Sequence, residues 1–481
     1  MGRMKFVVGL AITLLFAVAE GVEFDVRQHL GTSTRYETGK AAITGANPNT
    51  PPIGCTPVHL NLVARHGTRT PTEKRAKELK KLEKILNSAG HTIEEDAYES
   101  KQGLPSWLMG WRSPWESRKT NGELTREGEE ELYHLGKRVR ERFPKLFNED
   151  YHPAVYSIIS TQVPRASASA VAFGMGLFAG KGGLGPGRQR AFAVTSNSLE
   201  KDTLLRFHDA CETYKEAALL DKTDQACGLF NQTEVELLEW ADDVEMHYFK
   251  GYGNLLNYQM GVRLLEDVFN LTEQAKIAST GCNSQGFVQK AQLRFAHAET
   301  IIPFTCLLGL FVEASDIDKF QSNKPLKPPV KAPQQRRWRG STVAPFAANN
   351  MLVLYKCPAK DDNLEKVNPP GDHDRFFVQI LHNEKPASLP NCNGSSFCPF
   401  EVFKANVVGP HLQQKFELLC NTPTDCPLAN DRSREDKTNL KLSVKGGHDL
   451  DITLLVQGKV ADLHLNHKSD SVCTIKATLE N

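Results

Sequence analysis

Apolar positions fall into short runs of strand-forming residues, each ended by polar or turn-forming ones. Val58-His-Leu-Asn-Leu-Val-Ala64, Val155-Tyr-Ser-Ile-Ile-Ser160, Gln292-Leu-Arg-Phe-Ala296, Met351-Leu-Val-Leu-Tyr355 and Arg375-Phe-Phe-Val-Gln-Ile-Leu381 read as strands. Between them the period lengthens to that of helices. Leu79, Leu82 and Leu86 line one helix, and Leu132, Leu135, Gly136 and Val139 line another running from Thr125 through Arg140. A small-residue helix spans Ala166 to Phe178, and residues 200–285 are again helical and polar. This order predicts an α/β fold: a mixed, mostly parallel sheet flanked by helices, with a helical cap built from insertions.

The expected division is a core from 53–75, 150–199 and 288–430 and a cap from 76–149 and 200–287. Residues 20–52 are polar and rich in Gly, Thr and Pro, a loosely structured lead-in. Residues 323–340, rich in Lys, Pro, Arg and Gln, read as an exposed loop. Trp107, Trp111 and Trp115 are four apart but interrupted by Pro114; they suit packing of a small subdomain, or stacking on substrate. Residues 431–481 carry strand-like alternation at Asn439–Val444, Asp451–Val456 and Val472–Ala477, an appended β-rich tail.

Composition narrows the setting. The 481 residues hold 58 Lys and Arg against 57 Asp and Glu, so no global field favours nucleic acid or an anionic membrane surface. Residues 1–19 read as a signal peptide: Arg3 and Lys5, then apolar Phe6–Val18, then small residues at Ala17-Val18-Ala19; the alternative is an uncleaved anchor. No later stretch is long and apolar enough to span a bilayer. Asn231, Asn270 and Asn393 sit in glycosylation sequons, and 11 cysteines suit an oxidising compartment. Cys392/Cys398 and Cys420/Cys426 are close enough to close small loops. The last residues, Leu479-Glu480-Asn481, are no retention address. Secretion, the cell surface or a vacuolar or lysosomal lumen is therefore expected ahead of the ER. The oligomeric state is open.

The chemistry concentrates where strands end. After the first comes Arg65-His66-Gly67-Thr68-Arg69-Thr70-Pro71. Open α/β sheets bind ligands beyond the carboxyl ends of their strands. Arginine presents a charged fork that matches phosphate oxygens, and imidazole can act as a nucleophile. Gly67 permits close approach of the backbone. Beyond the second strand stands Arg165, and beyond the third His297-Ala298-Glu299. His297 could donate to a phosphate oxygen and Glu299 could protonate a leaving alcohol. Read alone, the pair could equally be metal ligands or ordinary loop polars, though no third ligand at suitable spacing completes a metal set. The Gly-rich loop Lys181–Gly187 lacks the Gly-Lys-Ser/Thr ending of a phosphate-cradling loop.

The string Arg-His-Gly-x-Arg-x-Pro resembles that of the histidine acid phosphatases. Ala-Glu after the second histidine, together with Lys201–Cys211, Lys250–Gly253, Ala344–Cys357 and Phe377–Lys385, is similar to the multiple inositol polyphosphate phosphatases. The resemblance covers roughly Ile53 to Asn430. It implies a histidine-phosphatase-like fold and a phosphohistidine mechanism. His66 would attack phosphorus, Arg65, Arg69, Arg165 and His297 would hold the phosphate, and Glu299 would protonate the leaving group and then activate water. It implies no metal and no organic cofactor. The substrates implied are phytic acid and lower inositol phosphates, with 2,3-bisphosphoglycerate as a further one. Lys201, Arg206 and Lys250 are expected in an outer cationic ring. The resemblance also suggests a Cys55–Cys357 bridge and a Cys392–Cys398 bridge. Rival readings are a phosphatase of the same fold for phosphoproteins or lysophospholipids, a phosphomutase, and a non-catalytic phosphate-binding surface protein. Glu299 protonated with His66 neutral would put the activity optimum on the acid side of neutral.

Overall fold

Strands β1 (Thr56–Arg65), β2 (Tyr156–Ser160) and β3 (Ala291–Ala296) lie side by side in a computed structural model of the chain. The structure describes residues 24–43, 51, 54–96, 111–115, 121–210, 232–280, 288–312, 332–333, 336–358 and 374–413, and strands at 442–445, 449–456, 459–468 and 472–479. The three strands pair in parallel in the order β2-β3-β1, with Ile158 and Leu62 both opposite Leu293. Their near-continuous apolar character fits strands covered on both faces. Antiparallel β4 (Asn349–Pro358) and then β5 (Asp374–His382) extend the sheet, and β6 (Lys385–Pro386) and β7 (Phe397–Pro399) pair with β5. The sheet is mixed, with β1, β2, β3 and β5 running in one direction.

Two helical layers bury its faces. On one, Leu60, Leu62 and Phe295 pack with Leu132, Leu135 and Val139 of α3 (Arg126–Arg142) and Phe173 and Leu177 of α4 (Pro164–Leu177). On the other lie α6 (Val262–Ser279) and α7 (Ala298–Leu307), with Leu264, Val268, Ile301 and Phe304. The chain also forms helices α1 (Tyr36–Ala42), α2 (Glu73–Asp96) and α5 (Gln232–Lys250). Both α3 and α6 fall inside the stretches 76–149 and 200–287 expected as cap, yet both pack on the sheet. An amphipathic stripe records that a helix is covered, not by what. Polar residues on the α6 face of β1 and β3 bond one another and α6 itself: the Asn61 amide donates to the Thr272 hydroxyl (3.0 Å), and buried Arg294 donates to Asn61 (2.8 Å) and to Asp267.

Two further expectations change. The lead-in is ordered over 24–43: Tyr36 is fully buried, and its hydroxyl donates to Glu384 (2.8 Å). The basic stretch ending at 340 is not exposed throughout, because Trp338 is 1% exposed and its indole N–H donates to the Asp243 carbonyl (3.1 Å). The flanking cations explain it. Arg336 bonds Asp243 and Glu239 (each 2.7 Å), and Arg339 bonds Glu239 (2.9 Å), so charge is buried with its partner.

The expected Cys55–Cys357 and Cys392–Cys398 disulfides are present, and Cys306 is a buried free thiol. The first ties the residue before β1 to β4 across 302 positions of sequence. Asn270 and Asn393 are exposed; Asn231, Cys420, Cys426, Trp107 and the signal segment lie outside the described residues. Among the described residues no helix is long and apolar enough to cross a membrane. The tail forms a four-stranded antiparallel sheet of β8 (Leu442–Lys445), β9 (Asp449–Val456), β10 (Lys459–Lys468) and β11 (Val472–Leu479).

Candidate active site

Because β2, β3 and β1 are adjacent and parallel, their carboxyl ends share one edge of the sheet. His66 follows β1, Arg165 opens α4 after β2, and His297 caps the start of α7 after β3. Both helices point their positive ends toward this edge. The backbone ties the turns together: the His66 amide donates to the Ala296 carbonyl (3.0 Å), and the Ala347 amide donates to the His66 carbonyl (3.0 Å). Gly67 lies against Gly128 of α3 so closely that a Cβ on Gly67 would stand 2.3 Å from the Gly128 carbonyl oxygen. Any side chain there would push the turn off the helix.

The imidazole of His66 is 3% exposed, and its Nδ1 lies 2.8 Å from the Gly67 carbonyl oxygen. A carbonyl only accepts, so Nδ1 carries the proton and Nε2 keeps its lone pair. Burial, with Arg65, His297 and Arg165 nearby, holds the His66 pKa well below that of an ordinary histidine. The ring therefore stays neutral, and nucleophilic, into the acid range. His297 is edge-on to it with centroids 5.4 Å apart, and it too is pushed well below the usual value by burial and by Arg165.

Cations crowd this edge. Arg65 donates through Nη1 to the carbonyls of Thr32 and Ala344 (each 2.6 Å) and lies over the Phe346 ring (4.4 Å). Burial and the neighbouring Arg69 push its pKa down to about 9; burial and Arg69 bring Arg165 down to about 10. Both remain charged in the acid range. Among the described residues neither forms an ion pair, and the Nε of each is buried with no hydrogen-bond partner. Crowded like charges with unused, buried donor nitrogens suit a multivalent anion. Arg69 donates to the Thr70 carbonyl (3.0 Å) and bridges backbone to backbone with Leu124.

Two of the three expected outer cations join the cluster. Arg206 donates to His297 Nε2 (3.3 Å), and Lys250, the last residue of α5, is paired with Glu299 (3.3 Å). Lys201 is exposed and makes no hydrogen bond or ion pair with them, since its short 3-10 turn ends before the chain enters the site. Burial disfavours a charge on Glu299, but Lys250, His208 and His297 together hold its carboxyl well below the usual carboxylate range. These neighbours favour the ionised form of Glu299 in the free site.

Sequence reasoning missed two groups. His208, 8% exposed and 6.3 Å from the His297 ring, is brought down to about 4 by burial, against the pull of Glu299, with Arg206 and Lys250 adding to the fall. It stands two places after Arg206, so the spacing offered a hint. Glu131 accepts from the Thr68 amide (2.8 Å), the Thr68 hydroxyl (2.9 Å) and the Tyr36 amide (3.1 Å), fixing the turn after His66. It lies three residues after Gly128 on the inner side of α3, where a carboxylate signals a buried partner. Among the described residues no cluster of three or more His, Cys, Asp or Glu is placed to hold a metal ion.

The family profile described as histidine phosphatase superfamily (branch 2) matches residues 58–226 and 221–383, taking in every one of these groups except the Thr32 and Tyr36 backbone. The chain belongs to this superfamily. Within branch 2, it is 25% identical over 488 residues to human "Multiple inositol polyphosphate phosphatase 1", covering 89% of this chain and 94% of that protein. It is 23% identical over 462 residues to an "Acid phosphatase" of Schizosaccharomyces pombe, covering 83% of this chain and 92% of that one. Solved structures share the histidine phosphatase fold: the phytase from D. castellii (TM-score 0.54, 16% identity, 83% of this chain and 88% of that one) and the apo Bifidobacterium longum multiple inositol polyphosphate phosphatase (TM-score 0.51, 17% identity, 80% and 98%). The protein is thus a histidine acid phosphatase.

Proposed function

We propose that this phosphatase removes phosphate groups from inositol polyphosphates, phytic acid and its lower esters foremost, with 2,3-bisphosphoglycerate as a further substrate. The observation that carries the reading is the His66 imidazole, neutral with a free Nε2 and set among Arg65, Arg165 and His297. The similarity to proteins named for inositol polyphosphates supports the substrate class.

Nε2 attacks phosphorus as the bond to the ester oxygen breaks. Glu299 gives that oxygen its proton, and the alcohol leaves. The arginines and His297 hold the three equatorial oxygens through this transfer. Water then attacks the phosphohistidine, Glu299 takes a proton from it, and the N–P bond breaks to release phosphate and restore Nε2. Glu299 is ionised in the free site, so it needs a proton before the first step. Bound phosphate, negatively charged beside it, raises the carboxyl's affinity for one.

Timed chromatography of inositol phosphates with purified protein and a chelator tests the substrate; conversion of phytate to lower esters is expected. Rapid acid-sensitive, base-stable labelling from a ³²P-substrate tests the intermediate. No label under turnover conditions, with phosphate released, would argue for direct attack by water.

A further inference from the structure

The ion pair between Lys250 and Glu299 (3.3 Å) joins the end of α5 to the first turn of α7, next to His297. It is not closed off from substrate: the Lys250 side chain is 21% exposed and that of Glu299 32% exposed. Lys250 ends α5, and the following turn is packed tightly. A Cβ on Gly251 would stand 2.5 Å from the Trp338 ring, and one on Gly253 would stand 2.7 Å from the Tyr248 Cα. The end of α5 is therefore held in place, while the flexible four-carbon stem of the lysine lets its ammonium change partners.

We propose that Lys250 is a specificity-determining residue that makes catalysis responsive to a second phosphate on the substrate. The inference rests on the phosphohistidine reading above and extends it. In the free enzyme Lys250 is paired with Glu299. A substrate with a phosphate next to the scissile one offers the ammonium a dianion, a stronger partner than a single carboxylate. Lys250 moves to it. Glu299 loses its cation, takes one proton from solvent, and hands that proton to the leaving oxygen; the attacking water later returns it.

A monophosphate leaves Lys250 on Glu299, so only the scissile phosphate itself favours the proton there and the acid is less readily primed than with a second phosphate. The other charged or titratable groups that act on Glu299 are His208 and Arg206 from the segment before α5, His297 beside it, and Arg65 and Arg165 from the neighbouring strand ends. Arg206 is engaged with His297 and Arg65 with the Thr32 and Ala344 carbonyls, whereas Lys250 is in direct ion pair with Glu299.

The test compares the wild type with Lys250→Met and Lys250→Arg on phytate and on a simple alkyl monophosphate, across pH. With Met, the ratio of kcat/KM for phytate over the monophosphate should fall at least tenfold. The basic limb of the monophosphate profile should move up by about one pH unit, because Glu299 keeps its proton to higher pH once the cation is gone. Arg, which keeps the charge, should restore most of the ratio. Equal losses on both substrates, with an unmoved basic limb, would overturn the inference while leaving the function intact. A wild type that hydrolyses the monophosphate but not phytate would overturn both.

Discussion

Two clusters of arginines can be set side by side. At the sheet edge, Arg65 and Arg165 share Arg69 as a neighbour, burial and Arg69 lower both pKa values, and among the described residues no carboxylate forms an ion pair with either. Along α5, Arg336 is largely buried and Arg339 half-buried, and each is bonded to a carboxylate at 2.7–2.9 Å. There Glu239, despite burial, is pulled down to about 2 by His29, Arg339 and Arg336, and Ser341 adds a hydroxyl at 2.7 Å. Burial of charge alone therefore does not mark a site. What marks it is a deficit of counter-charge that only something from outside can meet.

The largest expected effect comes from removing the nucleophile between those unpaired cations. His66→Ala should lower kcat by roughly 10⁴-fold or more while circular dichroism and Tm stay near wild type. Measurable phytate turnover by this variant would undo the assignment. The paired cluster should answer in the opposite currency, stability. Arg336→Met strips a partner from Glu239 and Asp243 and should cost about 3–5 kcal/mol in urea unfolding, with kcat of the folded fraction little changed. A loss of activity without a loss of stability would show that the two clusters do not differ as described.

Arg165→Met should behave in reverse. A fall in kcat/KM of roughly 10²–10³-fold is expected, with Tm unchanged or raised, since one of several crowded cations has gone. A marked fall in Tm would mean that Arg165 serves the fold. Smallest is the effect of Glu299→Gln: about a hundredfold on alkyl phosphates and much less on an activated aryl phosphate, which departs unaided. The wild-type kcat/KM profile should peak below pH 7. Acid catalysis is available only below the depressed Glu299 pKa and is lost as pH rises through it, whereas the depressed His66 pKa keeps the nucleophile neutral on the acid side. A peak above pH 9 is incompatible with these roles.

The strand-end turns were legible in the sequence because each follows a run of strand formers and carries dense chemistry within a few residues. Parallel pairing of β2, β3 and β1 then brings them to one edge. Features set by distant partners were not legible. Trp338 stands in a Pro- and Arg-rich stretch that reads as solvent-exposed, and its burial depends on Glu239 and Asp243, which lie about a hundred residues earlier. Ordering of the lead-in depends likewise on Glu384 and Glu131. The ionised state of Glu299 could not be read from its motif, because it follows from Lys250 and His208 on other segments. Lys201 is exposed and unbonded to the cluster for the converse reason: a basic residue near a motif carries no direction.

The grip on Arg65 has a consequence for how the protein is made. One of its carbonyl partners, at Thr32, is synthesised before it; the other, at Ala344, comes 279 residues after it. A ribosome must therefore deliver more than two-thirds of the chain before that guanidinium can be seated. Truncation before Ala344 should yield a protein that retains the His66 motif and cannot use it.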